Sequence, residues 1–232
     1  MAVSSKKSRL LVGDFNLASY ATKVDSSWSQ AMLDSTVLTD EAKTFVPDQH
    51  ESTLSVEGYY DVAENTDIAA WKSAAAQPVT LGPSGLARGA ELWMVNGLLS
   101  EFSLGSAIGN LGSFGLNSQT DGITDFGISL HDLTAVTADE SGTSYDGAAA
   151  TTGGGAAHLH VTAFSGFSGA VVIVEDSAND STWATIGTFT TVAAVTGERI
   201  AIAGTIRRYV RYSVDVTGTG SITFQVGLAR RP

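Results

Sequence analysis

From Ser52 to Tyr60 the chain alternates, with Leu54, Val56, Gly58 and Tyr60 on one side and Thr53, Ser55, Glu57 and Tyr59 on the other. A period of two is the mark of a half-buried strand. Upstream, Asp14 to Trp28 reads as a turn followed by a strand. Leu33 to Asp61 (LDSTVLTDEAKTFVPDQHESTLSVEGYYD) reads as two strands, the second of them Ser52–Tyr60, joined by a polar, acidic arm too long for a tight hairpin. Long loops inside compact domains are uncommon and tend to be functional. Phe45, Val46 and Pro47 sit in the middle of this arm, and apolar residues on a charged loop point to docking on a neighbour.

Further on, Asn65 or Thr66 can cap a helix that starts at Asp67, whose charge suits the positive end of the helix dipole. The helix, DIAAWKSAAA, ends before Gln77-Pro78, and Ile68, Trp71 and Ala75 share the face that would pack on a sheet. Ala90 to Asn117 holds two or three strands separated by glycine turns, and Ile123–Leu130 and His131–Val136 complete a first domain. Asp146 to Ala157 (DGAAATTGGGAA) has the composition of a flexible linker. Six strand-like runs follow: Ala157–Phe164, Ala170–Glu175, Trp183–Thr191, Arg199–Ala203, Tyr209–Val216 and Ser221–Ala229. The pattern predicts a mostly-β (α+β) fold with one short helix over residues 1–145, a linker over 146–157, and an antiparallel β-sandwich over 158–232.

Charge changes the picture. The net charge is −11, and residues 1–140 hold 18 acids and 7 bases whereas residues 141–232 hold 6 of each. All the excess acid lies in the first part. Such a surface repels nucleic-acid phosphates, which need clustered Lys and Arg. With no Cys in 232 residues, a disulfide scaffold and a thiolate zinc site are both excluded. No apolar run approaches the ~20 residues of a membrane helix. MAVSSKKSRLLVGDF lacks the apolar stretch of a signal peptide, so folding in a reducing cytoplasm is expected.

Strings that look catalytic fail on context. Asp125-Phe126-Gly127 lacks the companion motifs that give a kinase triplet meaning, and Gly105, Gly109, Gly112 and Gly115 miss the dinucleotide spacing. His158 and His160 would share one strand face; an exposed face explains them better than a metal, since no third ligand is evident. Asp176, Asn179 and Asp180 read as hairpin chemistry rather than a Ca²⁺ loop. Arg207, Arg208 and Arg211 form the basic cluster, expected to pair with acids of the other domain within an assembly. No Ser-His-Asp arrangement can be assembled. An enzyme is not expected, and neither a cofactor nor a metal.

The order of these parts resembles the major tail tube proteins of long-tailed bacteriophages. The resemblance is carried by LLVGDFNLASYATKVDSSW, the strand–arm–strand from Leu33 to Asp61, the short helix and the glycine-punctuated strands from Leu92 to Asn117. The C-terminal part, with DSANDSTW and RRYVRYSV, resembles a β domain often appended to such proteins. The resemblance implies homohexameric rings stacked into a tube for viral genome ejection, with strands joined edge to edge around a lumen. It implies an inter-ring arm, for which Asp40, Glu41, Phe45, Val46, Pro47 and Asp48 are candidates, and an acidic lumen, for which Asp34, Glu51, Glu57 and Glu101 are candidates. The implied partners are further copies of the chain and other tail proteins (tape measure, tail terminator, distal tail protein). DNA would pass without specific binding, no membrane is involved, and the location is the virion tail, assembled in the host cytoplasm. The alternative is a head decoration or carbohydrate-binding virion surface protein, with Trp183, Tyr209 and Tyr212 as stacking residues.

Overall fold

The structure, a computed structural model, describes residues 5–39, 41–60, 71–72 and 76–232. It is mostly β, and its strands join into one antiparallel sheet that branches and folds over its own cores. The first half supplies β1 (Arg9–Val12), β2 (Phe15–Asn16), β3 (Ala21–Asp34), β4 (Phe45–Tyr59), β5 (Gln77–Gly82), β6 (Glu91–Gly105), β7 (Ser113–Thr120) and β8 (Asp125–Val136). The second half supplies β9 (Glu140–Ser141), β10 (Tyr145–Asp146), β11 (Gly155–Ser177), β12 (Ala184–Thr188), β13 (Thr196–Ile202) and β14 (Tyr209–Arg230).

Alternation explains which faces are buried. In β4, Leu54, Val56 and Gly58 point inward and meet Phe114 and Leu116 of β7, while Thr53 and Glu57 stay in water. Leu10, Val12, Leu17, Val79, Leu81, Trp93 and Val95 complete this first core. Trp71 closes it and donates its indole N–H to Gly97 O at 3.1 Å. Trp71 and Lys72 are helical; the rest of the expected helix, with its caps Asn65 and Thr66 and its residues Ile68 and Ala75, lies outside the described residues.

The second core lies among β8, β11, β13 and β14. Val210, Tyr212 and Val214 point into it as their alternation predicts, beside Leu159, Val161, Val172, Phe189 and Phe224. Two expectations need correction. The runs 157–164 and 170–175 are one strand, β11, and the runs 209–216 and 221–229 are one strand, β14. The two strands pair along their length through register shifts at Val161/Ala163, Ser165/Phe167 and Phe167/Gly169. The apparent turns between the runs are bulges that bend continuous strands.

The flexible linker expected over 146–157 is the second correction. Asp146 belongs to β10, Thr151 bridges Ile206, and Gly155–Ala157 open β11 as buried residues. The glycines there serve close approach rather than flexibility. A Cβ on Gly153, Gly154 or Gly155 would lie 2.1, 2.3 or 2.0 Å from a backbone oxygen of Pro232, Ile202 or Ala229. The two parts of the chain also share one sheet, because β8 pairs with β14 from Gly127↔Ala229 to Val136↔Ile222. Leu130 and Val136 of β8 belong to the second core.

Candidate assembly interface

Four strands in the order β3-β4-β7-β6 form a sheet that stands apart from the junction with the second half. One face covers the first core. The other face is read off the register. Lys23, Asp25, Ser27 and Ser29 of β3 lie opposite Glu57, Ser55, Thr53 and Glu51 of β4. Those in turn adjoin Gly115, Asn117 and Gln119 of β7, and β6 adds Glu101 and Ser103. The face is therefore polar over most of its extent, with exposed Leu98 opposite Gln119 at its β6 end.

Cross-strand bonds order it. Asn117 donates to Glu101 Oε2 at 2.8 Å, Ser27 and Thr53 hydroxyls are 2.7 Å apart, and Ser29 donates to Glu51 at 3.4 Å. Lys23 pairs with Asp25 at 2.5 Å, both side chains exposed. That contact raises the Lys23 pKa, first by the hydrogen bond and then by the charge of Asp25.

Of the lumen candidates, Glu51, Glu57 and Glu101 come together on this face. Asp34 does not. Counted along β3 from Lys23, it falls with Val24, Trp28 and Met32 on the opposite face. It accepts from the Thr36 backbone N–H at 3.0 Å and lies 3.9 Å from Lys43. The Thr36 side chain, followed by its N–H, holds the Asp34 carboxyl below its ordinary range. Asp25 joins the polar face instead. Its signal was present in the sequence, since Lys23 and Asp25 flank Val24 in a period of two.

The arm is a β-ribbon with a short tip rather than a long loop. Phe45, Val46, Pro47 and Asp48 belong to β4, and pairing runs out to Asp34↔Phe45. A register shift between Gln30 and Met32 marks a bulge on the β4 side, next to Pro47, where a missing N–H is tolerated. Glu41 is an exposed tip residue, and Asp40 lies outside the described residues. Beyond the core the ribbon carries exposed Trp28, Met32, Leu33, Phe45 and Val46, with Val37 and Leu38 at its tip.

Both lateral edges of the four-stranded sheet are open. Among the described residues, β3 pairs only with β4, and residues 98–105 of β6 pair only with β7. Neither edge has a sequence signature, because an edge is defined by which strand is missing beside it.

Elsewhere the expected sites resolve into internal packing. His158 and His160 are fully buried rather than exposed, at the junction of the two halves. His160 Nδ1 lies 2.7 Å from Gly13 O, so it carries the proton; its Nε2 then accepts from Thr80 Oγ1 at 2.7 Å. Thr80 in turn accepts from His158 Nδ1 at 3.1 Å. Burial pushes the His160 pKa down to about 4, and burial, followed by repulsion from His160 whenever that ring is protonated and from Arg199, puts His158 well below its usual value. Beside them Gly13, at φ +57°, touches Gly197 of β13, where a Cβ would lie 2.4 Å from the Gly13 Cα.

Asp125, first residue of the Asp-Phe-Gly string, is buried and clamped by Arg231 at 2.8 and 3.0 Å and by Arg199 at 3.1 Å. The arginine cluster pairs inside the chain, contrary to the expectation of an assembly contact. Arg207 bonds Asp176 through both its backbone N–H and Nε at 2.7 Å, and Arg211 bonds Glu175 at 2.7 Å. Arg208 grips Asp146 at 2.7 and 2.6 Å and lowers that carboxyl to a pKa of about 2. Trp183 is half-buried beneath Arg211, whose guanidinium carbon lies 4.2 Å from the ring centroid and occupies one face of the indole. Tyr212 lies in the core and donates to Glu140.

No protein-family model and no curated protein matches the chain. Solved structures are similar to it at low identity. The tail of an empty gene transfer agent particle covers 54% of this chain and 98% of its own, at 9% identity and a TM-score of 0.47. The SPP1 tail tube covers 53% of this chain and 78% of its own, at 8% identity and a TM-score of 0.42. The SPP1 Dit protein, from the hub adsorption apparatus of phages infecting Gram-positive hosts, covers 94% of this chain and 98% of its own, at 13% identity and a TM-score of 0.37.

Proposed function

We propose that the chain is a structural protein of a long-tailed bacteriophage virion that polymerises as stacked hexameric rings into the tail tube. The supporting observation is the β3-β4-β7-β6 sheet, with an acid-bearing polar face and an open strand at each lateral edge. An open strand edge left in water is an aggregation hazard. Pairing the β3 edge of one copy with the β6 edge of the next satisfies both edges. Repeated by rotation, this head-to-tail contact closes a ring, and the number six comes from the family resemblance.

In that ring the polar face lines the channel. Asp25, Glu51, Glu57 and Glu101 place carboxylates where DNA phosphates pass, and like charge keeps the polymer moving without adhesion. The ribbon reaches the adjacent ring, and the charge-balanced C-terminal part sits outside the tube. Tape measure, terminator and distal tail proteins are the further partners on this reading.

Negative-stain microscopy of the concentrated protein tests it. Rings or tubes with a central channel are expected; a strictly monomeric species at high concentration, or a closed assembly without a channel, overturns the reading.

A further inference from the structure

The ribbon's inward face continues the apolar stripe of the core past the point where the core ends. Val24 packs on the first core, and further out the same face carries Trp28 and Met32, alternating with Gln30 and Asp34, and Phe45 opposite Asp34; Trp28 (beside His50), Met32 and Phe45 stay 48%, 57% and 54% exposed. A two-stranded ribbon is marginal by itself, and an uncovered apolar face on it marks a contact surface.

At the opposite end of the same sheet is the turn between β6 and β7. Strand β4 runs from the ribbon tip at Phe45 to Tyr59, which pairs with Ser113 next to this turn. Ile108 on the turn is fully exposed and Leu111 is 70% exposed, with exposed Leu104 at the strand end. From Phe102 to Thr120 there is no charged residue. Solvated turns seldom combine open aliphatic side chains with a complete lack of charge. A chain of net charge −11 repels its own copies, and this turn is a place where another acidic copy can approach without that cost.

The two apolar surfaces cannot meet within one chain, because the sheet separates them. Between copies they meet end to end, in a contact that does not close and so propagates along the strands. We propose that the uncharged β6–β7 turn of one copy docks on the Trp28–Met32–Phe45 face of the ribbon of a copy in the adjacent ring. The inference rests on the tail tube reading and supplies the receptor for its arm. So few side chains fall well short of the ~1,000 Å² expected of a stable pairwise interface. The contact therefore holds only when repeated around a ring, where each docked ribbon raises the effective concentration of the others.

The chain has no cysteine, so an engineered pair reports the contact cleanly. In full-length protein under assembly conditions, Phe45→Cys with Ile108→Cys is expected to give, on mild oxidation, a covalent ladder running past six copies. Each single variant should give nothing above a dimer. Tubes in micrographs without a ladder overturn the docking and leave the tube intact, and a ladder that stops at a fixed ring size places the contact inside a ring and also overturns it. Failure to assemble under any condition defeats the tube reading and this inference together. Ile108→Asp supplies a second arm: an unchanged melting temperature with assembled protein reduced at least ~10-fold is expected. Undiminished assembly in that variant overturns the proposal.

Discussion

At the scale of single residues, His158 and His160 show how burial reassigns chemistry. Two histidines two apart on a strand announce a shared face, and nothing local says whether that face is wet. The structure buries both against Thr80 and the Gly13 carbonyl, in a chain of bonds that uses each imidazole as a neutral group. His160 is depressed from 6.5 to about 4. The unfolded chain takes up this proton as the pH falls through the ordinary range, and the folded chain does so only near the lower value. Stability is therefore complete above the unfolded value, declines between the two, and levels off below the folded one. His160 by itself accounts for a loss of about 3 kcal/mol across that window, and His158 adds to it in the same direction. Urea unfolding measured at intervals across this range is expected to show the midpoint falling with pH; a flat profile would contradict the neutral, buried assignment.

At the scale of elements, the ribbon was partly legible. The alternation from Ser52 to Tyr60 is plain, and β4 buries the residues it indicates. The outer half reads as loop in the sequence because the period breaks near Pro47, where a bulge shifts the register. Strand pairing out there is cross-strand information, held in partners such as Leu33↔Val46 that are separated in sequence by the turn. The same limit split β11 and β14 into four runs, since glycine-rich stretches such as Gly166–Gly169 read as turns and act as bulges. The ribbon has little to do with the stability of the body, because its distal residues are exposed. Replacing Thr36–Lys43 by a two-residue turn is expected to leave the circular dichroism spectrum and melting temperature unchanged and to abolish long assemblies. Normal tubes from this variant would remove the tip from the contact between rings.

At the scale of the whole molecule, the halves are tied more closely than composition implies. Strand β8 belongs to the first half by sequence and to the second core by packing, through Leu130 and Val136. Burial of each such side chain is worth roughly 1.5–3 kcal/mol. A fragment ending at residue 146 would expose both, together with the β8 edge that pairs with β14. That fragment is expected to aggregate or to unfold at lower temperature than the full chain, by size-exclusion chromatography and thermal melting. A monodisperse fragment with unchanged melting would show the first half to be self-sufficient.

The chain by itself determined what depends on near neighbours. Strand faces follow from a period of two, and the acidic bias of the first half follows from counting. Tertiary structure decided what depends on distant partners. His160 finds Thr80 across 80 positions and Gly13 across 147, and Asp125 finds Arg231 across 106. Burial, ion pairing and an open strand edge are all relations between segments that only folding brings together. Glu51, Glu57 and Glu101 share a face only through the pairing of β3, β4, β7 and β6, and the change of face at Asp34, the close-packed Gly153–Gly155 and the edges left unpaired among the described residues depend on distant partners in the same way.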